Sequence, residues 1–141
     1  MALVHHELCF GCGRVNLFGL LLEVEPAGRD AVAGRCFLKQ DHQGPERGWA
    51  HDGVVGAALL EAMGLACGLE ARAVSFEVSV DAPAPIGEFL ELEARVTERH
   101  GLLAYTTAAA RVDQRMVAQA RGSFRSPNPD TAEERTTCPS T

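Results

Sequence analysis

Apolar and polar positions along the chain change period twice. In Leu17–Glu25, Leu20, Leu22 and Val24 share a face opposite Glu23 and Glu25, and in Ala31–Leu38 the residues Val32, Cys36 and Leu38 fall together. With the turn signal Pro26-Ala27-Gly28-Arg29-Asp30 between them, these segments predict an antiparallel hairpin. A polar loop, Lys39 to Gly48, leads through Trp49 into His51–Cys67. That run predicts one helix, too apolar on all sides for a surface and too short for a membrane. Glu61 alone interrupts its apolar length, and its many glycines and alanines would let strands approach closely, so a helix wrapped by a sheet is expected. After Gly68 the period becomes two: Val74, Phe76, Val78 and Val80, then Leu90, Leu92, Ala94 and Val96, then Leu103–Val112 and Met116–Phe124. Pro83, Pro85 and Gly87, then His100-Gly101, then Asp113-Gln114 separate these four segments, which predict an antiparallel meander with one wet face. Two strands, a buried helix and four strands make an α+β domain, a strongly curved six-stranded antiparallel sheet around one central helix. The domain is expected over residues 1–125, with a flexible tail over 126–141, where no periodic apolar residue occurs.

Composition narrows the function. An apolar fraction of 46% in 141 residues supports one real core. The net charge of -6, with Lys39 the single lysine and the arginines scattered, leaves no basic stripe for nucleic acid. The N-terminus lacks the basic start and long apolar run of a signal peptide, and no segment has membrane-spanning length, so a cytoplasmic location is expected. Cysteines within an expected strand (Cys36) and the expected buried helix (Cys67) point to reduced thiols. His5, His6, Cys9 and Cys12 have the spacing to offer four zinc ligands. Two vicinal histidines bind one ion awkwardly, however, and no second Cys-x-x-Cys follows, so a packed glycine-rich turn around Gly11 and Gly13 is the favoured reading.

The start of the long helix carries the candidate chemistry. Asp52 is a good N-cap type and Gly53 allows close approach, leaving backbone N–H groups aimed outward, where a developing oxyanion would be stabilised. Glu61 is either a base held in an apolar setting or a helix glutamate that reaches an arginine such as Arg72 or a subunit interface. Asp52 is a cap or an acid/base group, and His51 a loop anchor or a donor to substrate. Gln43 is a solvated loop residue or an orienting group for water or a carbonyl. Asp41 is a further stand-in carboxylate, while Ser75 and Ser79 are expected to satisfy local hydrogen bonds.

Several stretches, in order, resemble the hotdog-fold thioesterases, and among them the phenylacetate-pathway type of acyl-CoA thioesterase. They are Cys9-Phe10-Gly11-Cys12-Gly13 with Asn16 and Gly19-Leu20, His42-Gln43-Gly44, Gly48-Trp49-Ala50-His51-Asp52-Gly53, Leu59-Leu60-Glu61-Ala62-Met63-Gly64 and Pro83-Ala84-Pro85-Ile86-Gly87-Glu88. The resemblance covers residues 9 to about 125 and implies a hotdog fold. It also implies hydrolysis of an acyl-CoA or carrier-bound acyl thioester, with sites shared between subunits of a homodimer or tetramer. No metal is required, and CoA enters only as part of the substrate. In such enzymes the amide after a helix-opening histidine polarises the thioester carbonyl, a place that falls on Asp52. A carboxylate further along the helix, supplied by the opposite subunit, attacks or activates water, and that place falls on Leu60. Glu61 and Asp52 are therefore the catalytic candidates. His51, Asp52, Gly53, Gln43 and Leu60 are the oxyanion and substrate-binding candidates, and Arg95, Arg121 and Arg125 are candidates for the nucleotide phosphates. Because leucine can neither attack nor move a proton, a non-catalytic acyl-CoA-binding or small-ligand-binding member is the alternative implied.

Overall fold

Six strands and one long helix build the domain in a computed structural model that describes residues 2–127. The tail expected over 126–141 lies outside the described residues from position 128 onward. The elements are β1 (Glu23–Pro26), β2 (Ala31–Phe37), a short 3-10 turn (Gln40–His42), α1 (Asp52–Cys67), β3 (Arg72–Val80), β4 (Phe89–His100), β5 (Leu103–Val112) and β6 (Arg115–Arg125). All pairings are antiparallel, in the order β1-β2-β4-β5-β6-β3. This is the expected α+β architecture, with α1 packed across one sheet face.

Two expectations need correction. The last four strands are not one meander: β4, β5 and β6 are, but β3 crosses to the far edge and pairs with β6. The segment 81–88 is taken up elsewhere, since Asp81 and Ala82 N–H bond to Val117 O, and Ala84 O accepts Ala50 N–H at 2.8 Å. The chain therefore cannot turn back as a hairpin. Nor does the first strand begin at Leu17. The amides of Leu20 and Leu22 donate to Phe10 O (2.7 Å) and Gly11 O (2.9 Å), and Leu21 sits at φ 51° between them. These bonds hold residues 17–22 against the N-terminal segment and leave only four residues for β1.

Burial explains the helix. Ala58, Leu59, Ala62 and Met63 are fully enclosed, packed in one core with Leu20, Leu38, Leu90 and Val117. Enclosing a leucine or methionine contributes about 1.5–3 kcal/mol. Gly68 ends the helix at φ 141°, a conformation open to glycine, with its N–H on Gly64 O. Arg99 of β4 reaches back to donate to Cys67 O (3.2 Å) while pairing with Asp30, which places a cation at the negative end of the helix. No helix among the described residues is long and apolar enough to cross a membrane.

Candidate active site

A loop folded on itself sets the start of α1. Its bonds run from His51 N–H to His42 O, from Gly44 N–H to Trp49 O and from Ile86 N–H to Gly48 O, at 2.8–3.0 Å. Gly44 lies so close that a Cβ there would come 2.9 Å from His51 Cα. Gln43 is spent inside this loop, accepting from Gly48 N–H (2.7 Å) and donating to Gln40 O (2.8 Å), so it acts as a brace. His42, named in the sequence only as part of the His42-Gln43-Gly44 stretch, is buried beneath. Its Nδ1 accepts Lys39 N–H at 3.0 Å, and its Nε2 has no partner among the described residues. Burial, then the charge of Lys39, holds its pKa below the usual histidine value, against a smaller opposing effect of Asp41.

The N-cap is His51 rather than Asp52. His51 has extended backbone, and its Nδ1 accepts Gly53 N–H at 2.8 Å, while its carbonyl takes the amides of Val54 and Val55. Asp52 is the first helical residue, which removes it from the capping position and leaves its carboxylate exposed. Its backbone N–H forms no hydrogen bond among the described residues. His51, Asp52 and Gly53 are all exposed. The helix start therefore presents one unspent amide beside one free carboxylate.

From that end a half-buried apolar stripe, Val54, Ala57 and Leu60, runs along α1. Beside it Val78 of β3 lies against Gly56, while Val74, Phe76 and Val80 of the same edge strand are 57%, 36% and 45% exposed. Leu60 is thus on the less enclosed side of the helix.

Glu61 points elsewhere. It lies nine positions beyond Asp52 on α1, a rise of about 13 Å. Its Oε2 is 2.9 Å from His5 Nδ1 and accepts the Cys9 thiol at 3.3 Å. Cys12 Sγ lies 3.3 Å from the same His5 nitrogen, and burial, then the Glu61 contact, pushes the Cys12 thiol pKa up. Among the described residues neither Arg72 nor another arginine is the partner of Glu61; the N-terminal segment is. Gly11 makes this possible, because a Cβ there would meet Glu61 Cδ. His6, grouped with these residues on sequence spacing, is exposed, and its ring accepts Leu8 N–H.

The remaining candidates do not gather at the helix start. Arg121 pairs with Glu77 at 3.0 Å, and Ser75 bonds Ser123 at 2.6 Å. A groove of about 690 Å³ lies on the opposite sheet face, between Arg35, Glu91, Glu93 and Arg111. Asp41 is exposed in its loop.

Comparison with solved structures bears on the fold. A thioesterase superfamily protein superposes with a TM-score of 0.75 at 22% identity, over 82% of this chain and 62% of that one, so this chain spans less than two thirds of that relative. The chain has the hotdog fold. The E. coli PaaI protein from the phenylacetic acid degradation operon matches the hotdog domain with a TM-score of 0.71 at 16% identity, over 77% of this chain and 81% of that one. Zebra fish thioesterase superfamily member 2 does so with a TM-score of 0.68 at 19% identity, over 75% and 81%. No family model matches the sequence, and no curated protein matches it. The hotdog neighbours thus agree with the resemblance drawn from the sequence, and at these identities they establish the fold.

Proposed function

We propose that this chain hydrolyses acyl thioesters, carried on CoA or on a protein carrier, at the start of α1. The observation that carries the reading is the unspent Asp52 N–H at the exposed N-terminus of the helix of a hotdog domain. A thioester carbonyl oxygen placed there accepts that N–H, and the helix end favours the charge that grows on it. Asp52 supplies the base. Its carboxylate takes a proton from water, the resulting hydroxide adds to the carbonyl carbon, and the C–S bond breaks as the thiolate leaves and takes that proton back from Asp52. On taking the proton the carboxylate becomes neutral, so its charge fades as the oxyanion forms. Glu61 is left out of this step because its carboxylate is engaged by His5 and Cys9.

Val54, Ala57 and Leu60 line the acyl slot, closed by a second copy of the chain docked along β3. Support comes from the apolar side chains that this edge strand leaves exposed and from its contact with Gly56. A second reading, binding of an acyl thioester without turnover, is favoured by Leu60 itself, an apolar group at the place where the resemblance sets a carboxylate.

The test is CoA release from a panel of acyl-CoA thioesters, followed by chromatography so that protein thiols do not interfere. Release by wild type supports hydrolysis. Binding without release, with turnover appearing only in Leu60→Asp, supports the second reading, and absence of both binding and release refutes the proposal.

A further inference from the structure

The convergence of His5, Cys9, Cys12 and Glu61 has no part in that reaction. Each residue offers one donor atom, and the four atoms lie within 4.8 Å of one another. We infer that they form a structural zinc site, which fastens the N-terminal segment to the central helix.

Three features of the geometry support this. First, the donors are already nearly at metal spacing. Zinc–sulfur bonds of about 2.3 Å and zinc–nitrogen or zinc–oxygen bonds of about 2.0–2.2 Å place tetrahedral donors about 3.4–3.8 Å apart. Here His5 Nδ1 is 2.9 Å from Glu61 Oε2, 3.3 Å from Cys12 Sγ and 3.7 Å from Cys9 Sγ. Second, Glu61 Oε2, Cys9 Sγ and Cys12 Sγ all surround the one His5 Nδ1 at 2.9–3.7 Å, so a cation at their centre would bind all four atoms at once.

Third, the backbone is shaped to aim the thiols. Gly13 N–H closes a turn on Cys9 O (2.9 Å), and a Cβ on Gly13 would collide with the carbonyls of Glu7 and Cys9. Within that turn His5 N–H donates to Cys12 Sγ at 3.2 Å, a bond suited to a sulfur carrying negative charge. Two thiolates, one imidazole and one carboxylate form a set that suits zinc, and four protein ligands leave no open position for catalysis. Loading is balanced: the ion binds two thiolate sulfurs and two thiol protons pass to solvent. The ligand set differs from the histidine pair suggested by sequence spacing, because Glu61 stands where His6 was expected.

The inference is independent of the proposed hydrolysis and is tested by metal content. The untagged full chain is produced with zinc in the medium, purified reduced and without chelator, and analysed by plasma mass spectrometry. One zinc ion per chain is expected, retained in His6→Ala and lost to background in Cys9→Ser. Should Cys9→Ser fail to fold, wild type reconstituted with cobalt decides. Thiolate-to-cobalt charge transfer with the strong visible bands of a tetrahedral ion upholds the site, and their absence overturns it. It is also overturned if reduced wild type neither carries nor takes up zinc, if Cys9→Ser keeps its full metal content, or if Cys9 and Cys12 cycle through a disulfide without metal uptake.

Discussion

Replacing Gly11 by alanine tests the junction between the N-terminal segment and α1. The new Cβ would lie 2.4 Å from Glu61 Cδ and 2.5 Å from Cγ, where carbon atoms normally rest at about 3.5–4.0 Å. A shift of more than about 1 Å is needed, and Gly11 is held on its other side by the bond from Leu22 N–H to its carbonyl. Glu61 must therefore withdraw, breaking its contacts with His5 and Cys9. A hydrogen bond to a charged group is worth about 1.5–3 kcal/mol and an ordinary one about 0.5–1.5. Glycine-to-alanine substitution returns about 0.4–1 kcal/mol through the unfolded chain. The net destabilisation is about 1–4 kcal/mol, a fall in Tm of about 3–12 °C for a chain of this length. Thermal unfolding in chelator-containing buffer, so that only protein contacts count, measures it. In a Glu61→Ala background the same substitution costs little, because the clash has gone. A Gly11→Ala protein as stable as wild type, or equally destabilised in both backgrounds, would refute the packing described.

Three further outcomes follow from the interior. Leu59→Ala, at a fully enclosed position against the sheet, lowers stability by about 2–5 kcal/mol in denaturant unfolding; a loss below about 1 kcal/mol contradicts its burial. His42 has a folded pKa below its ordinary 6.5, so the unfolded chain binds more protons just below that pH and stability declines as pH falls through this range. His42→Asn, which keeps an acceptor for Lys39 N–H, flattens that decline, and an unchanged slope would count against it. Burial pushes the Cys36 and Cys67 thiols from 9.0 up to about 11, so the folded state retains protons that the unfolded state loses and stability falls between pH 9 and 11. Unfolding curves of Cys36→Ala beside wild type should show a shallower alkaline decline.

The central helix was legible because its apolar length is bounded by Gly68 and by a polar loop, and it ends where Gly68 takes positive φ. The hairpin of β1 and β2 was legible in its turn residues and alternation. The place of β3 was not, since alternation identifies a half-buried strand without naming its neighbour, and β6 lies some forty positions away. Leu20 and Leu22 carry a strand-like pattern, yet their amides are claimed by Phe10 and Gly11, a long-range pairing that local pattern does not encode. At the helix start His51, Asp52 and Gly53 were found, but the capping histidine was not, because propensity favours aspartate there. The partners of Glu61 lie more than fifty positions earlier in sequence. Their local signals were the ligand-like spacing of His5, Cys9 and Cys12 and the glycines of Cys9-Phe10-Gly11-Cys12-Gly13, which the structure explains as room for the Glu61 side chain and for a tight turn.

The central claim is that the start of α1, and not Glu61, performs the chemistry. Its most direct test is the initial rate of CoA release by Asp52→Asn and by Glu61→Gln beside wild type, on the acyl-CoA that wild type turns over best. A fall of at least about a hundredfold is expected in Asp52→Asn, the scale of a lost general base, with Glu61→Gln, corrected for its folded fraction, within a few-fold of wild type. A loss of that size in Glu61→Gln with Asp52→Asn unaffected would contradict it.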